Sequence, residues 1–142
     1  MADYTADKAA SGVQPRGIHA GGNTVRARFA PTATASAGDV LQCVKVPHGA
    51  IIDDVTFVSG PSLAAAITIA IGDGGSTGRY LGSTSASTTV GVIRASVGLG
   101  HQYSISADAY PQSDTIDVLL GTGQIVPATH AFDLIVSYHI DD

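Results

Sequence analysis

Apolar side chains recur at every second position through most of this chain. In the clearest stretch, residues 131–140, the apolar set consists of Phe132, Leu134, Val136, Tyr138 and Ile140. Because successive side chains of a β-strand point to opposite faces, the intervening Asp133, Ser137 and His139 are predicted to face the other way. An alternation with a period of two is typical of half-buried strands.

Comparable strand patterns recur along the rest of the chain from Thr24 onward. The predicted strands begin with residues 24–29 and continue with residues 40–46, 50–58, 67–71, 79–83, 90–97, 101–106, 114–120 and 131–140. Within residues 50–58, Ile51, Val55 and Phe57 are predicted to share one face, and the pair Asp53-Asp54 marks a bulge or bend. Residues 83–89 are polar and are predicted to form a loop.

The composition disfavours helices. The chain has no Glu and only two Lys among its 142 residues, although these residue types normally fill exposed helix positions. The count of strands and the spacing of turn residues predict an all-β fold of about eight strands, arranged as a two-sheet β-sandwich. Connections of mixed length favour a jelly-roll-like arrangement over an up-and-down barrel.

The first 23 residues differ from the remainder, because their apolar spacing is weak and turn-forming residues are dense. We predict an extended or flexible N-terminal arm at residues 1–23 and a single β-sandwich domain at residues 24–142. The arm has two alternatives: a terminus without fixed structure, or a segment that becomes ordered on a neighbouring subunit. In the second alternative Arg16 and Ile18 are the candidate contacts.

Charge is scarce and predominantly negative. Charged residues make up 13% of the chain and the net charge is −5, which disfavours nucleic acid as a partner. A surface so poor in charge is expected to be covered by other subunits, and we predict a homo-oligomer. No signal peptide is expected at the N-terminus, and the apolar runs are too short for a membrane helix, so we predict no membrane partner.

No motif in the sequence assembles a catalytic, cofactor-binding or metal-binding site. The glycine-rich residues 72–78 follow a strand but do not match a phosphate-binding fingerprint, and Asp73 alone is too little for calcium. The five His are dispersed, and the lone Cys43 lies in an apolar run as a buried thiol. We predict a protein that is not an enzyme, and a metal-dependent barrel enzyme remains the weaker alternative.

Two arginines are the candidate contact residues of the domain. Arg26 and Arg28 alternate with Val25, Ala27 and Phe29, so both belong to the outer face of the first strand. Such a pair is either a solvated strand face or a contact that binds carboxylates of a partner. Arg is the better cation for bidentate pairing with a carboxylate.

Three segments resemble a known family. They are residues 38–55 (GDVLQCVKVPHGAIIDDV), residues 71–81 (IGDGGSTGRYL) and residues 114–118 (DTIDV). Together they resemble the jelly-roll cement, or decoration, proteins of tailed bacteriophages, of the Bordetella phage type. The similarity covers most of residues 24–140 and consists of strand and turn patterns, so no functional residue is transferred from it.

The resemblance implies a structural virion protein that binds the outer surface of an assembled capsid. Its partners would be the major capsid protein and further copies of itself, and it would be made in the host bacterial cytoplasm. The alternative function is a carbohydrate- or receptor-binding jelly-roll module of a virion, since such modules stack sugars on exposed aromatic rings. The candidate rings are Tyr80, Tyr103 and Tyr110.

Overall fold

The computed structural model describes residues 3–5, 22–63, 66–89, 91–103 and 113–140. This part of the chain contains strands, turns and bends and no helix. Eleven strands follow in chain order: β1 (Asp3–Thr5), β2 (Asn23–Phe29), β3 (Ala35–Ser36), β4 (Val40–Pro47), β5 (Ala50–Ser59), β6 (Ile67–Asp73), β7 (Leu81–Ala86), β8 (Val92–Arg94), β9 (Ser113–Thr122), β10 (Gln124–Ile125) and β11 (Phe132–Ile140).

The longer strands form two sheets. One sheet has the order β1-β4-β9-β6-β7, the other has the order β2-β11-β5-β8, and β3 pairs with β10 as a separate ribbon. All pairs are antiparallel except β1 with β4, which is parallel. Leaving aside β1, β3 and β10, eight strands remain, four in each sheet, and the chain crosses repeatedly between the sheets as in a jelly roll. The predicted all-β sandwich is confirmed.

The core lies between the two sheets. In β11, which is flanked by β2 and β5, the side chains of Phe132, Leu134, Val136 and Tyr138 are buried as the alternation predicted. The Phe132 ring stacks between Phe29 and Phe57, with centroid distances of 5.0 and 4.8 Å. Each such buried ring stabilises the fold by roughly 1.5–3 kcal/mol.

A bulge in β5 lies at the predicted position. Asp54 pairs with Ser137 and Ile52 pairs with Tyr138, so Asp53 is the extra residue between them. The bulge shifts the alternation by one position, and therefore Ile52 is fully buried whereas Ile51 is only half-buried. The prediction that Ile51 shares the buried face of Val55 and Phe57 is wrong for this reason.

Three predicted boundaries differ from the structure. The polar residues 83–89 were predicted as a loop, but β7 extends to Ala86, because a strand at the end of a sheet can direct Ser side chains to solvent. The strand predicted at residues 90–97 is reduced to β8, and of residues 101–106 the structure describes a single bridge from Gln102 to Ile51. Residues 104–106 of that segment lie outside the described residues.

The N-terminal region is described at its beginning and its end. β1 pairs with β4 near the start of the predicted arm, and β2 begins at Asn23. Arg16 and Ile18 lie outside the described residues. The division into an arm at residues 1–23 and a domain at residues 24–142 therefore stays a prediction.

Candidate interaction surface

Strand register brings Arg26 and Arg28 next to an acidic residue of β11. Arg28 is directly opposite Asp133, and Arg26 is opposite Ile135, which is two positions further along the same face. Val25, Ala27 and Phe29 point into the core, so both guanidinium groups lie on the outer side of the sheet β2-β11-β5-β8. We call this outer side the four-strand face.

Asp133 is buried beneath these side chains. Its side chain is 1% exposed, and its Oδ2 accepts hydrogen bonds from Arg26 Nε at 3.0 Å and from an Arg26 terminal nitrogen at 2.5 Å. Arg28 Nε lies 3.5 Å from Oδ1, and His130 Nε2 lies 3.2 Å from Oδ2. The sequence pattern placed Asp133 on the outer face correctly, but it gave no sign that the two Arg and His130 would cover it.

The cations determine the charge state of this carboxyl. Burial alone raises the pKa of Asp133, but the hydrogen bond from Arg26 and the positive charges around it outweigh burial and hold the pKa below its usual value. Asp133 is therefore ionised at neutral pH. Its Oδ1 is buried and accepts no hydrogen bond among the described residues.

The two guanidinium groups remain accessible from outside. The side chains of Arg26 and Arg28 are 58% and 57% exposed although the carboxylate between them is buried. Two positive charges face one negative charge, so this end of the face keeps a local excess of positive charge in a chain with a net charge of −5. The arrangement suits a carboxylate of a partner, because guanidinium groups bind carboxylates with paired hydrogen bonds.

The other end of the four-strand face carries exposed pairs. Arg94 on β8 lies 3.3 Å from Asp54, and both side chains are well exposed. His139 lies 2.9 Å from the bulged Asp53. Exposed pairs of this kind contribute about 0–1 kcal/mol to stability.

The outer side of the second sheet, the five-strand face, is different in character. Its outward residues on β4, β6 and β9 are largely small, apolar or uncharged: Val40, Gln42, Lys45, Thr68, Ala70, Gly72, Thr115, Asp117 and Leu119. At Gly72 the following loop folds back so closely that an added Cβ would lie 2.0 Å from the carbonyl oxygen of Ser76. Only glycine fits there.

The loop after Gly72 is organised by a second buried carboxylate, Asp73. Asp73 Oδ1 accepts hydrogen bonds from the backbone N–H groups of Gly75 at 2.9 Å and Ser76 at 2.8 Å, which form an Asx-type turn. Arg79 Nε donates to Oδ2 at 2.5 Å. The glycine-rich residues 72–78 are thus a structural turn, and the oxygens of Asp73 are occupied by protein donors.

Two tyrosines extend this cluster into the core. The Tyr103 hydroxyl donates to Asp73 Oδ2 at 2.7 Å, and the hydroxyls of Tyr80 and Tyr103 are 2.7 Å apart. Because Tyr103 gives its proton to the carboxylate, Tyr80 must be the donor in the bond between the two hydroxyls. We call Asp73, Arg79, Tyr80 and Tyr103 the Asp73 cluster.

The pKa values of the cluster follow from burial and from this donor order. Burial raises the pKa of Tyr80 to about 12, and burial together with the bonds to Tyr80 and Asp73 raises that of Tyr103 further. Burial opposes ionisation of Asp73 as well, but the hydrogen bonds from Arg79, Tyr103 and Ser76 lower its pKa overall. The sequence offered Asp73-Gly-Gly-Ser as a turn signal, whereas nothing in it linked Tyr103 to Asp73, 30 residues away.

Burial also excludes two of the three candidate rings, Tyr80 and Tyr103, from stacking on a sugar. Tyr80 is fully buried and Tyr103 is 4% exposed, so neither ring can present a face to a ligand. The expectation that they form a carbohydrate platform is wrong because they belong to the core. Tyr110 lies outside the described residues.

Neither a metal-binding cluster nor a membrane-spanning helix occurs in the part of the chain that the structure describes. There, no group of three or more His, Cys, Asp or Glu side chains is placed to hold a metal ion. In the same part of the chain, no helix has the length and apolar character needed to cross a membrane. Cys43 is a buried thiol, as predicted, and its Sγ donates to the carbonyl oxygen of Leu41 at 3.2 Å.

Comparisons with known proteins found similar folds but no family. No protein-family model matches the chain, and no curated protein matches it. A chain from the capsid of Ralstonia phage GP4 superimposes with a TM-score of 0.73 at 19% identity, covering 99% of both chains. A chain from the capsid asymmetric unit of cyanophage Pam1 superimposes with a TM-score of 0.63 at 21% identity, covering 91% of both chains. This chain therefore shares its fold, over nearly its whole length, with proteins found in two phage capsids.

Proposed function

We propose that this protein is a structural component of a bacteriophage virion. In this proposal it binds the outer surface of an assembled capsid and reinforces contacts between major capsid protein subunits, as a cement or decoration protein. The observation that carries the proposal is the likeness to the GP4 capsid chain, which covers 99% of both chains. The match is thus between two whole chains of similar length, not between this chain and one domain of a large shell subunit.

Surface composition supports a role in binding other proteins. The five-strand face is poor in charge, and Val92, Val97, Leu99 and Val126 are large apolar side chains that are about half exposed. A sandwich that was always surrounded by water would be expected to carry more charge at such positions. Covering these surfaces by capsid subunits or by further copies of the chain would stabilise an assembly without any chemical reaction.

We assign the contact with the capsid to Arg26 and Arg28. Asp133 holds Arg26 by two hydrogen bonds, which orders its side chain before binding and reduces the entropy that binding costs. Both guanidinium groups remain more than half exposed and carry more positive charge than Asp133 neutralises. An acidic side chain of the major capsid protein is the complementary partner. Arg16 and Ile18 remain proposed contacts of the arm.

A capsid-binding assay tests the proposal. Purified protein is added to intact capsids of the phage that encodes it, prepared without this protein, and separately to the unassembled major capsid protein. Co-sedimentation with intact capsids and little binding to the unassembled subunit is the expected result. Absence of binding to intact capsids contradicts the proposed function, and density found on the inner surface by electron microscopy contradicts the exterior position.

Matched arginine variants test the contact residues. Arg26→Gln combined with Arg28→Gln is expected to weaken capsid binding by about 10-fold or more, since a charge-assisted bond contributes about 1.5–3 kcal/mol. Arg94→Gln is the control, because Arg94 lies on the same face and its exposed guanidinium group is already paired with Asp54. Equal effects of the double variant and the control would remove Arg26 and Arg28 from the interface.

A further inference from the structure

β1 is a short strand at one edge of the five-stranded sheet. Its three residues pair in parallel with β4, with Asp3 opposite Val40, Tyr4 opposite Leu41 and Thr5 opposite Gln42. The other side of β4 is bonded to β9, so β1 covers the first three residues, 40–42, of what would otherwise be an open strand edge. An open edge presents unpaired N–H and C=O groups and attracts any strand of suitable register.

The chain connection does not force β1 to pair with its own β4. A hairpin would fix the partner of a strand, but the strand that follows β1 is β2, which begins at Asn23 at the edge of the opposite sheet. Residues 6–22 lie between them, and a segment of this length spans up to about 55 Å when extended. A domain of this size has a radius of gyration of about 14 Å, so this span exceeds the width of the domain.

We propose that β1 of one chain pairs with β4 of a second copy, so that neighbouring copies are linked by exchanged N-terminal strands. The backbone hydrogen bonds are the same whether β4 belongs to the same chain or to a neighbour, so concentration decides between the two arrangements. Pairing within one chain is favoured in dilute solution. Pairing between chains becomes comparable when the concentration of copies approaches the effective concentration of the tethered strand, which is about millimolar.

This inference goes beyond the proposed function, because it requires only two copies of the chain and no capsid. If copies are also held side by side on a shell, their local concentration is high and the exchange would connect them into a network. Failure of the exchange leaves capsid binding through the four-strand face untouched. Failure of capsid binding likewise leaves the exchange intact in purified protein.

Crosslinking between two single-cysteine variants tests the exchange. In a Cys43→Ala background, Thr5→Cys is introduced into one chain and Gln42→Cys into another chain of distinguishable mass. A short bismaleimide reagent then joins the two thiols, and a mixed dimer forms only if β1 of one chain lies beside β4 of the other. The mixed dimer is expected to increase with concentration and to become a major product at about 1 mM.

Two controls complete the test. Mixing the Thr5→Cys chain with a Ser85→Cys chain, whose thiol is exposed on the opposite edge strand β7, is expected to give no mixed dimer above background. A chain carrying both Thr5→Cys and Gln42→Cys, crosslinked while dilute, is expected to stay monomeric and to exchange no longer. Crosslinking within single chains but none between chains at any concentration overturns the proposal. Absence of both products overturns the β1–β4 pairing on which it rests.

Discussion

Two buried carboxylates of this protein, Asp73 and Asp133, differ in what covers them. Each side chain is 1% exposed and each is paired with arginine. Asp73 is surrounded by donors that are themselves largely buried: its Arg79 is 28% exposed and Tyr103 lies in the core. Asp133 lies beneath Arg26 and Arg28, which are both more than half exposed.

The difference separates a structural role from a surface role. Both oxygens of Asp73 are satisfied by donors from one turn and one distant tyrosine, so this carboxylate fixes the shape of the β6–β7 connection. Asp133 accepts two hydrogen bonds from Arg26 and leaves positive charge directed outward. Similar ion pairs therefore stabilise a fold in one case and present a binding group in the other, and solvent access to the cation makes the difference.

Neutralising Asp73 is expected to have the largest effect on stability. In Asp73→Asn the free energy of unfolding should fall by about 3–5 kcal/mol, because Arg79 and the turn lose a buried ionic partner. Urea unfolding followed by circular dichroism measures the loss. Asp54→Asn, which removes an exposed partner of Arg94, is the control and should cost less than about 1 kcal/mol. Similar losses in the two variants would contradict the structural role of Asp73.

The donor order within the Asp73 cluster gives the next largest effect. Tyr103→Phe removes the donor to Asp73 and the acceptor for Tyr80, and should lower the free energy of unfolding by about 1.5–3 kcal/mol. Tyr80→Phe removes one hydroxyl as well but leaves the bond from Tyr103 to Asp73 intact. It should therefore cost about 1 kcal/mol. A larger loss for Tyr80→Phe than for Tyr103→Phe would reverse the assigned order of donors.

Neutralising Asp133 should affect binding more than stability. Asp133→Asn is expected to lower the free energy of unfolding by only about 1 kcal/mol, because Arg26 and Arg28 reach water when the carboxylate charge is removed. Capsid binding should weaken, since Arg26 loses the partner that orients it. The variant is measured by urea unfolding and by co-sedimentation. A loss of stability as large as that of Asp73→Asn would erase the distinction between the two carboxylates.

Acidification to low pH should remove the stabilisation that both carboxylates provide. The pKa values of Asp73 and Asp133 in the folded protein lie below their usual value of 3.8. Their contribution to stability is therefore present above that value and is lost as the pH falls through the folded pKa. The urea concentration at the unfolding midpoint of the unmodified protein should decrease once the pH is lowered below about 4. Over the same range the midpoints of Asp73→Asn and of Asp133→Asn should each fall less, and curves parallel to the unmodified protein would contradict the assignment.

Sequence patterns predicted the sandwich well and the charged sites poorly. The alternation in β2 and β11 correctly gave the inward and outward residues of both strands, including the outer positions of Arg26, Arg28 and Asp133. The same rule failed at Ile51, because the bulged residue Asp53 exchanges the inward and outward positions of the β5 residues that precede it. It also left Tyr80 and Tyr103 as candidate surface rings. The sequence around a Tyr at a strand end does not show whether its hydroxyl contacts water or a buried carboxylate.

The sequence by itself determined the class of fold and the face of each regular strand. Both follow from local rules: a period of two, β-branched and aromatic residues, and the absence of Glu. Tertiary structure alone decided which side chains meet at the two buried carboxylates, because Asp73 meets Tyr103 across 30 residues and Asp133 meets Arg26 across 107. Those contacts depend on strand order and register between distant segments. Tertiary structure also decided that a short N-terminal strand lies beside β4, because the backbone hydrogen bonds that hold it cannot be predicted from the pattern of side chains.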